Sequence, residues 1–163
     1  MPNRVKVKAF NEGEEAMEIT EISNYKKRYL PLLILGDEQE SMIDRYLERG
    51  RLFICAPLDP IAVCVVTDEG EGVLEIKNLA VRKDMQGQGI GRAMIEYVAT
   101  HAAGGFHTLQ VGTGDSPATL PFYERCGFAR HHIIKGFFTT HYDHPIIEEG
   151  VQLVDMVVLR RAL

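Results

Sequence analysis

The spacing of apolar residues along this chain separates strands from helices. Val5 and Val7 alternate with Lys6 and Lys8, predicting a half-exposed strand over 5–10, and lysines on such a strand suit a sheet edge. Residues 11–23 are acidic and carry no clear period. A helix is predicted over 24–35, broken or kinked near Pro31. A second is predicted from Asp37, as its cap, through Arg49, with Met42, Ile43, Tyr46 and Leu47 as the buried stripe and Gly50 as the stop. Two apolar strands over 52–56 and 61–66 flank the turn sequence Pro57-Leu58-Asp59-Pro60. A third strand follows over 73–81. Ile90, Ala93, Met94, Tyr97 and Val98 then recur at helical spacing until Gly104-Gly105. A strand over 108–112, a helix over 116–126 with Leu120, Phe122 and Tyr123, and closing strands around 129–139 and 151–159 complete the pattern. The expectation is an α/β chain whose antiparallel meander feeds a helix, forming one domain over 1–163 without repeats or linkers.

Between the third strand and the long helix lies Asp84-Met85-Gln86-Gly87-Gln88-Gly89-Ile90-Gly91-Arg92. Glycines at alternate positions let backbone N–H groups approach a ligand, and a helix N-terminus adds unpaired donors and a positive dipole end. Strand, glycine loop and helix therefore form an anion site suited to a phosphate. The loop is not a P-loop, because Arg92-Ala93 stands where Lys-Ser or Lys-Thr is needed. Nor is it a dinucleotide loop, since Gly87, Gly89 and Gly91 are evenly spaced.

Gln86-x-x-Gly89-x-Gly91 resembles the pyrophosphate loop of the GNAT N-acetyltransferases, and Leu79-Ala80-Val81 before it and Phe122-Tyr123-Glu124-Arg125-Cys126-Gly127-Phe128 after it match the same family in order. The resemblance implies a GNAT fold, a mostly antiparallel sheet splayed at its centre and flanked by helices. It implies acetyl-CoA as cofactor, with Gln86, Gly87, Gln88, Gly89, Ile90, Gly91 and Arg92 around the pyrophosphate. Leu79, Ala80 and Val81 would pair with the pantetheine arm like an added strand. A backbone N–H near Ala80 or Val81 would face the thioester carbonyl. Tyr123 matches the position of the family's general acid, and Glu75 that of the strand glutamate that some members use as general base. Asp115 and Ala118 stand eight and five residues before Tyr123, one more than is common, which a longer turn through Ser116-Pro117 absorbs. The tail, with Phe137-Phe138, His141-Tyr142, Pro145-Ile146 and Glu149-Gly150-Val151, is similar to a small bacterial branch with undefined acceptors.

Composition narrows the partners. The 163 residues carry 18 Lys and Arg against 23 Asp and Glu, a net charge of -5, which argues against nucleic acid. No apolar run approaches the ~20 residues of a membrane span, and no leader is evident, so a cytoplasmic protein is expected. Cys55, Cys64 and Cys126 lack metal or disulfide spacing, and His131-His132 and His141-x-x-His144 lack the surroundings of a metal site, so no metal is expected. Lys26-Lys27-Arg28 reads as a solvated helix face. The resemblance implies that the closing segment, with Asp143, Glu148, Glu149 and Asp155, lies beside the acceptor mouth and faces Asp37, Glu38 and Glu40, which would favour a small cationic amine. The function expected is acetyl transfer to a primary amine of a small molecule by direct attack in a ternary complex. Acetylation of protein lysines or N-termini, and a non-catalytic acyl-CoA-binding module, are the alternatives. The resemblance leaves room for a homodimer.

Overall fold

The structure, a computed structural model, describes residues 4–7, as backbone, and 17–163. Its opening strands are β1 (Arg4–Val7) and β2 (Met17–Ile22). Helices α1 (Leu30–Gly36) and α2 (Glu40–Ile43) follow, and then strands β3 (Arg51–Cys55), β4 (Ala62–Asp68) and β5 (Val73–Val81). Helix α3 (Ile90–His101), strand β6 (Thr108–Gly114), helix α4 (Thr119–Arg125) and strand β7 (Ala129–Ile134) come next. The chain closes with helix α5 (Phe137–His141) and strands β8 (Ile147–Glu148), β9 (Val151–Gln152) and β10 (Met156–Ala162).

One eight-stranded sheet runs in the order β1-β2-β3-β4-β5-β6-β10-β7, and a β8–β9 hairpin stands apart from it. All of its pairings are antiparallel except β5 with β6. β1 is an edge, as its lysines predict; the rest of the strand expected over 5–10 lies outside the described residues. The segment without a clear period supplies β2 from Met17 onward. Apolar side chains fill both faces of the sheet. Met94, Ile95 and Val98 of α3 and Leu120 of α4 pack on Leu74, Ile76, Leu109 and Leu159. Leu33, Ile43 and Leu47 pack on Leu52, Ile54, Val63 and Val65 on the other side. Among the described residues no helix is long and apolar enough to cross a membrane.

Three expectations are corrected. The predicted second helix ends at Ile43, and 44–49 continue as turns although Tyr46 and Leu47 are buried as the pattern implied. Its N-cap is Gln39, whose side chain makes no capping hydrogen bond, and Asp37 is used elsewhere. The strand expected over 129–139 stops at Ile134, because Gly136 takes a left-handed φ of 64° and opens α5, its N–H donated to Asp155 Oδ1 at 2.8 Å. Likewise 151–159 divides into β9 and β10, since Leu153 turns inward against Phe138 and Ile146.

Lys26 departs most from the solvated face expected of it. It is buried, and its Nζ donates to the carbonyls of Leu47 at 3.0 Å, Glu48 at 3.2 Å and Gly50 at 2.6 Å. One ammonium thus satisfies the carbonyls that the irregular segment turns inward. Lys26→Met keeps the aliphatic length but removes all three donors, and is expected to lower unfolding free energy by about 1.5–3 kcal/mol in urea titrations; an unchanged midpoint would show that these bonds contribute nothing net.

Candidate active site

The site begins where β5 parts from β6. The parallel pairing covers Val73 to Ile76 against Thr108 to Val111 and then ends, while β6 continues against β10 as far as Gly114. Residues 77–81 thus keep β4 on one side and have no strand partner on the other. A bulge lies at the same place: Val65 opposes Asn78 and Val66 opposes Ile76, leaving Lys77 as the extra residue. It reverses the alternation. Leu74 and Ile76 face the α3 side, as do Leu79 and Val81 beyond the bulge, whereas Ala80 packs toward α1.

β5 leads directly into the glycine loop. Gln86 Nε2 donates to the Val81 carbonyl at 3.0 Å, and Arg82 ties the loop down through its N–H to the Ile61 carbonyl at 2.7 Å and its side chain to Asp84 and Asp59. Gly87 and Gly89 take φ of 76° and 81°, the left-handed region that glycine enters without strain. Gly89 begins α3, and no side chain caps the helix, so its first-turn N–H groups are open for an anion. Gly91 serves a different end: it lies in the first turn of α3 with Phe122 against it, where a methyl group would press on the ring. Gln88 and Arg92 are exposed on this surface.

Tyr123 sits beside Phe122 on α4, packed edge-on against Phe122 and Phe128 and buried. Burial pushes its phenol well above the usual range, and Cys64, Cys126 and Glu148 add to the shift. Its hydroxyl makes no hydrogen bond among the described residues. Burial also raises the thiol pKa of Cys126, which leaves it a poor nucleophile. Asp115 is exposed, and the turn before α4 is held instead by buried Ser116, whose Oγ accepts the Ala118 N–H at 3.2 Å.

On the opposite side of β5 from α3 lies a cleft of about 470 Å3, walled by the α1–α2 segment, β5, β6 and the segment from α5 to β10. Glu75 and Lys77 line it and are ion-paired with each other. Glu75 is buried and accepts a second bond from Gln110 Nε2 at 3.0 Å; Arg160 Nε in turn donates to Gln110 Oε1 at 2.8 Å. Lys77 also reaches Glu69 at 3.3 Å. Burial opposes the charge of Glu69, but hydrogen bonds from Thr67 and Arg49 and the charges of Lys77 and Arg49 prevail and hold its pKa at about 2.

The closing segment roofs the cleft. Tyr142 Oη donates to Asp37 Oδ1 at 2.6 Å, and Tyr46 Oη to Asp37 Oδ2 at 3.0 Å. Asn78 Nδ2 donates to Tyr46 Oη at 3.1 Å and to the Leu33 carbonyl at 2.9 Å. Burial raises the pKa of Asp37 even though both tyrosine hydroxyls favour its charge. His144 bridges Glu38 at 3.0 Å and Asp143 at 2.5 Å, and Gln39 Oε1 accepts the Asp143 N–H at 2.9 Å. Of the acidic residues expected around the mouth, only Asp37 and Glu148 line the cleft. Glu38 and Asp143 clasp His144, Glu40 pairs with Lys27, Asp155 fixes Gly136, and Glu149 is exposed. Tyr142, Tyr46 and Asn78 were not legible as site residues; the signal was Asn78, polar within an otherwise apolar stretch of strand. Among the described residues no cluster of three or more His, Cys, Asp or Glu is arranged to hold a metal.

The sequence model of the acetyltransferase (GNAT) domain matches residues 48–130, from before β3 into β7. The chain belongs to the GNAT acetyltransferase family. It is 36% identical over 131 residues to the uncharacterised N-acetyltransferase YvbK of Bacillus subtilis, covering 78% of this chain and 84% of that one. A GNAT acetyltransferase from Elizabethkingia anophelis, solved with acetyl-CoA bound, is 32% identical with a TM-score of 0.85 over 90% of this chain and 98% of its own. A Bacillus subtilis acetyltransferase solved with CoA is 32% identical with a TM-score of 0.81 over 90% and 99%. Within this GNAT chain the splayed strands, the uncapped α3 and the roofed cleft lie along one strand, β5.

The Tyr142–Asp37 bond is the shortest tie between roof and wall in that network. Tyr142→Phe leaves a half-buried carboxylate with one donor fewer, and is expected to cost about 1–2 kcal/mol of stability and to speed amide exchange across 137–155. Exchange and urea midpoint both unchanged would show that the roof does not depend on this bond.

Proposed function

We propose that this N-acetyltransferase moves the acetyl group of acetyl-CoA to a primary amine of a small molecule, by direct attack with both substrates bound. One observation carries the reading: residues 77–81 lack a strand partner on the β6 side, where β5 passes between an uncapped helix N-terminus and a carboxylate-lined cleft. The relatives solved with acetyl-CoA and with CoA support that choice of ligand. Their pyrophosphate and pantetheine chemistry fits the donors present here. The N–H groups of Gln86 to Arg92 would cradle the pyrophosphate, and Leu79, Ala80 and Val81 would receive the arm as an added strand.

The remaining tasks fall to side chains and one amide. An N–H near Ala80 or Val81 takes the developing oxyanion. Tyr123 gives its proton to the departing thiolate, a task suited to a phenol that burial keeps protonated. Two carboxylates reach the cleft as candidates for the base, Glu75 and Glu148. The roof clasped by Tyr142 and His144 favours a small acceptor over an extended peptide.

Two substitutions test the assignment. Gly89→Val places a branched side chain at a φ of 81° beside the open amides, and is expected to abolish CoA binding by calorimetry while circular dichroism stays native. A folded variant with wild-type affinity would remove the cradle. Tyr123→Phe keeps the ring and deletes the hydroxyl, so kcat for thiol release should fall roughly 10–1000-fold with little change in KM for acetyl-CoA. Because the phenol pKa is raised, the wild-type rate should not decline through loss of this proton until above pH ~10, the ordinary phenol value. Full turnover in Tyr123→Phe would return Tyr123 to the core.

A further inference from the structure

Four carboxylates line the cleft, and three are already engaged. Asp37 accepts from two tyrosines, Glu69 from Arg49 and Thr67 with Lys77 beside it, and Glu75 from Gln110 with Lys77 ion-paired to it. Glu148 differs. Its Oε2 is shielded from solvent and has no hydrogen-bond partner among the described residues. A buried acceptor left without a donor costs about 1–3 kcal/mol, more when charged, so such a group is explained best by a donor that arrives with the substrate.

The backbone around Glu148 is firmly set. Glu148 pairs with Val151 across a two-residue turn in which Glu149 and Gly150 both have positive φ, 49° and 75°, the geometry of a tight hairpin. The Leu153 N–H donates to the Ile146 carbonyl at 2.8 Å, and both side chains are buried with Phe138. Room for this packing comes from β6, where a methyl group at Gly114 would overlap Leu153 and one at Gly112 would overlap Met156. The hairpin thus holds one free carboxylate oxygen over the cleft. Glu148 also lies near enough to Tyr123 for its charge to act on that phenol.

We infer that Glu148, and not Glu75, receives the ammonium of the acceptor and then takes its proton. The inference rests on the acetyl-transfer reading above. Glu148 Oε2 accepts one N–H proton, the freed nitrogen lone pair forms the bond to the acetyl carbon, and the carbon–sulfur bond breaks. Glu148 passes that first proton to solvent and takes the second from the nitrogen as the sulfur departs; Tyr123 protonates the sulfur and is reprotonated from Glu148 through solvent, so ammonium and thioester give amide, thiol and one released proton. Glu75 becomes a positioning residue that holds Lys77 and Gln110. Phe137, Phe138 and Met156 line the same cleft as Glu148, so the acceptor class is a primary amine carrying an apolar substituent.

The probe is 2-phenylethylamine, titrated by NMR into protein saturated with CoA. The wild type should bind it, and Glu148→Gln should weaken binding at least tenfold with CoA affinity unchanged. Glu149→Gln, at the exposed tip of the same hairpin, should bind like wild type, and Glu75→Gln should weaken binding less than Glu148→Gln does. No binding to wild type, undiminished binding to Glu148→Gln, or a larger effect of Glu75→Gln overturns the assignment. With acetyl-CoA, thiol release should fall at least 100-fold in kcat for Glu148→Gln and be partly restored in Glu148→Asp. An amine that binds through Glu148 without any thiol release by wild type would overturn the proton transfer and the acetyl-transfer reading, while the ammonium site would stand. Release that persists at the wild-type kcat in Glu148→Gln would overturn the proton transfer alone.

Discussion

The parting of β5 from β6 after Ile76 is the constraint on which the rest depends. A backbone segment left without a strand partner inside a sheet is costly unless another group satisfies it. The fold tolerates the gap because each strand has its other neighbour: β4 for β5, β10 for β6. The extra residue at Lys77 then turns Asn78 and Ala80 toward α1 while keeping Leu79 and Val81 against the α3 side. One strand therefore serves an apolar core, a helix terminus without a side-chain cap and a polar cleft without breaking its ladder to β4.

The polar side of that strand is a network in which most charges are spent on holding the molecule together. Lys77 couples Glu75 and Glu69, Arg49 adds to Glu69, and Asp37 joins the roof to the wall through two phenols. Engaged carboxylates contribute little field toward a ligand, since their counter-charges stand beside them. This is why a count of acidic residues near the mouth overstates its attraction for cations. What distinguishes the cleft is Glu148, the one lining carboxylate without a hydrogen-bond partner among the described residues, carried on a hairpin whose following residues Leu153 and Met156 pack against two β6 glycines.

Much of the fold was legible in the sequence, because its signals are local. The period of Ile90, Ala93, Met94, Tyr97 and Val98 required a helix, the apolar runs around the Pro57–Pro60 turn required paired strands, and the evenly spaced glycines required a tight loop before a helix N-terminus. The resemblance carried by Gln86, Gly89, Gly91 and the segment around Tyr123 led to the family that the comparisons bear out. These features depend on residues a few positions apart, where backbone sterics and side-chain period dominate.

Tertiary structure decided what depends on distant partners. Lys26 reads as a surface cation in any local window, and only the inward carbonyls of 47, 48 and 50 make it a buried cap. Asp37 reads as a helix cap until Tyr142, 105 residues away, reaches it. Alternation along β5 predicts one set of faces, and the bulge at Lys77 gives another because register is set by β4. Glu148 and Glu149 are neighbours of identical chemistry; which of them is free in the cleft and which is in solvent follows from a hairpin turn and from packing against β6. The sequence by itself determined most of the elements, the loop and the family, whose physics is short-range. Which charges are satisfied and which are left open was decided only when the chain brought the α1–α2 segment and the segment from α5 to β10 to the same cleft.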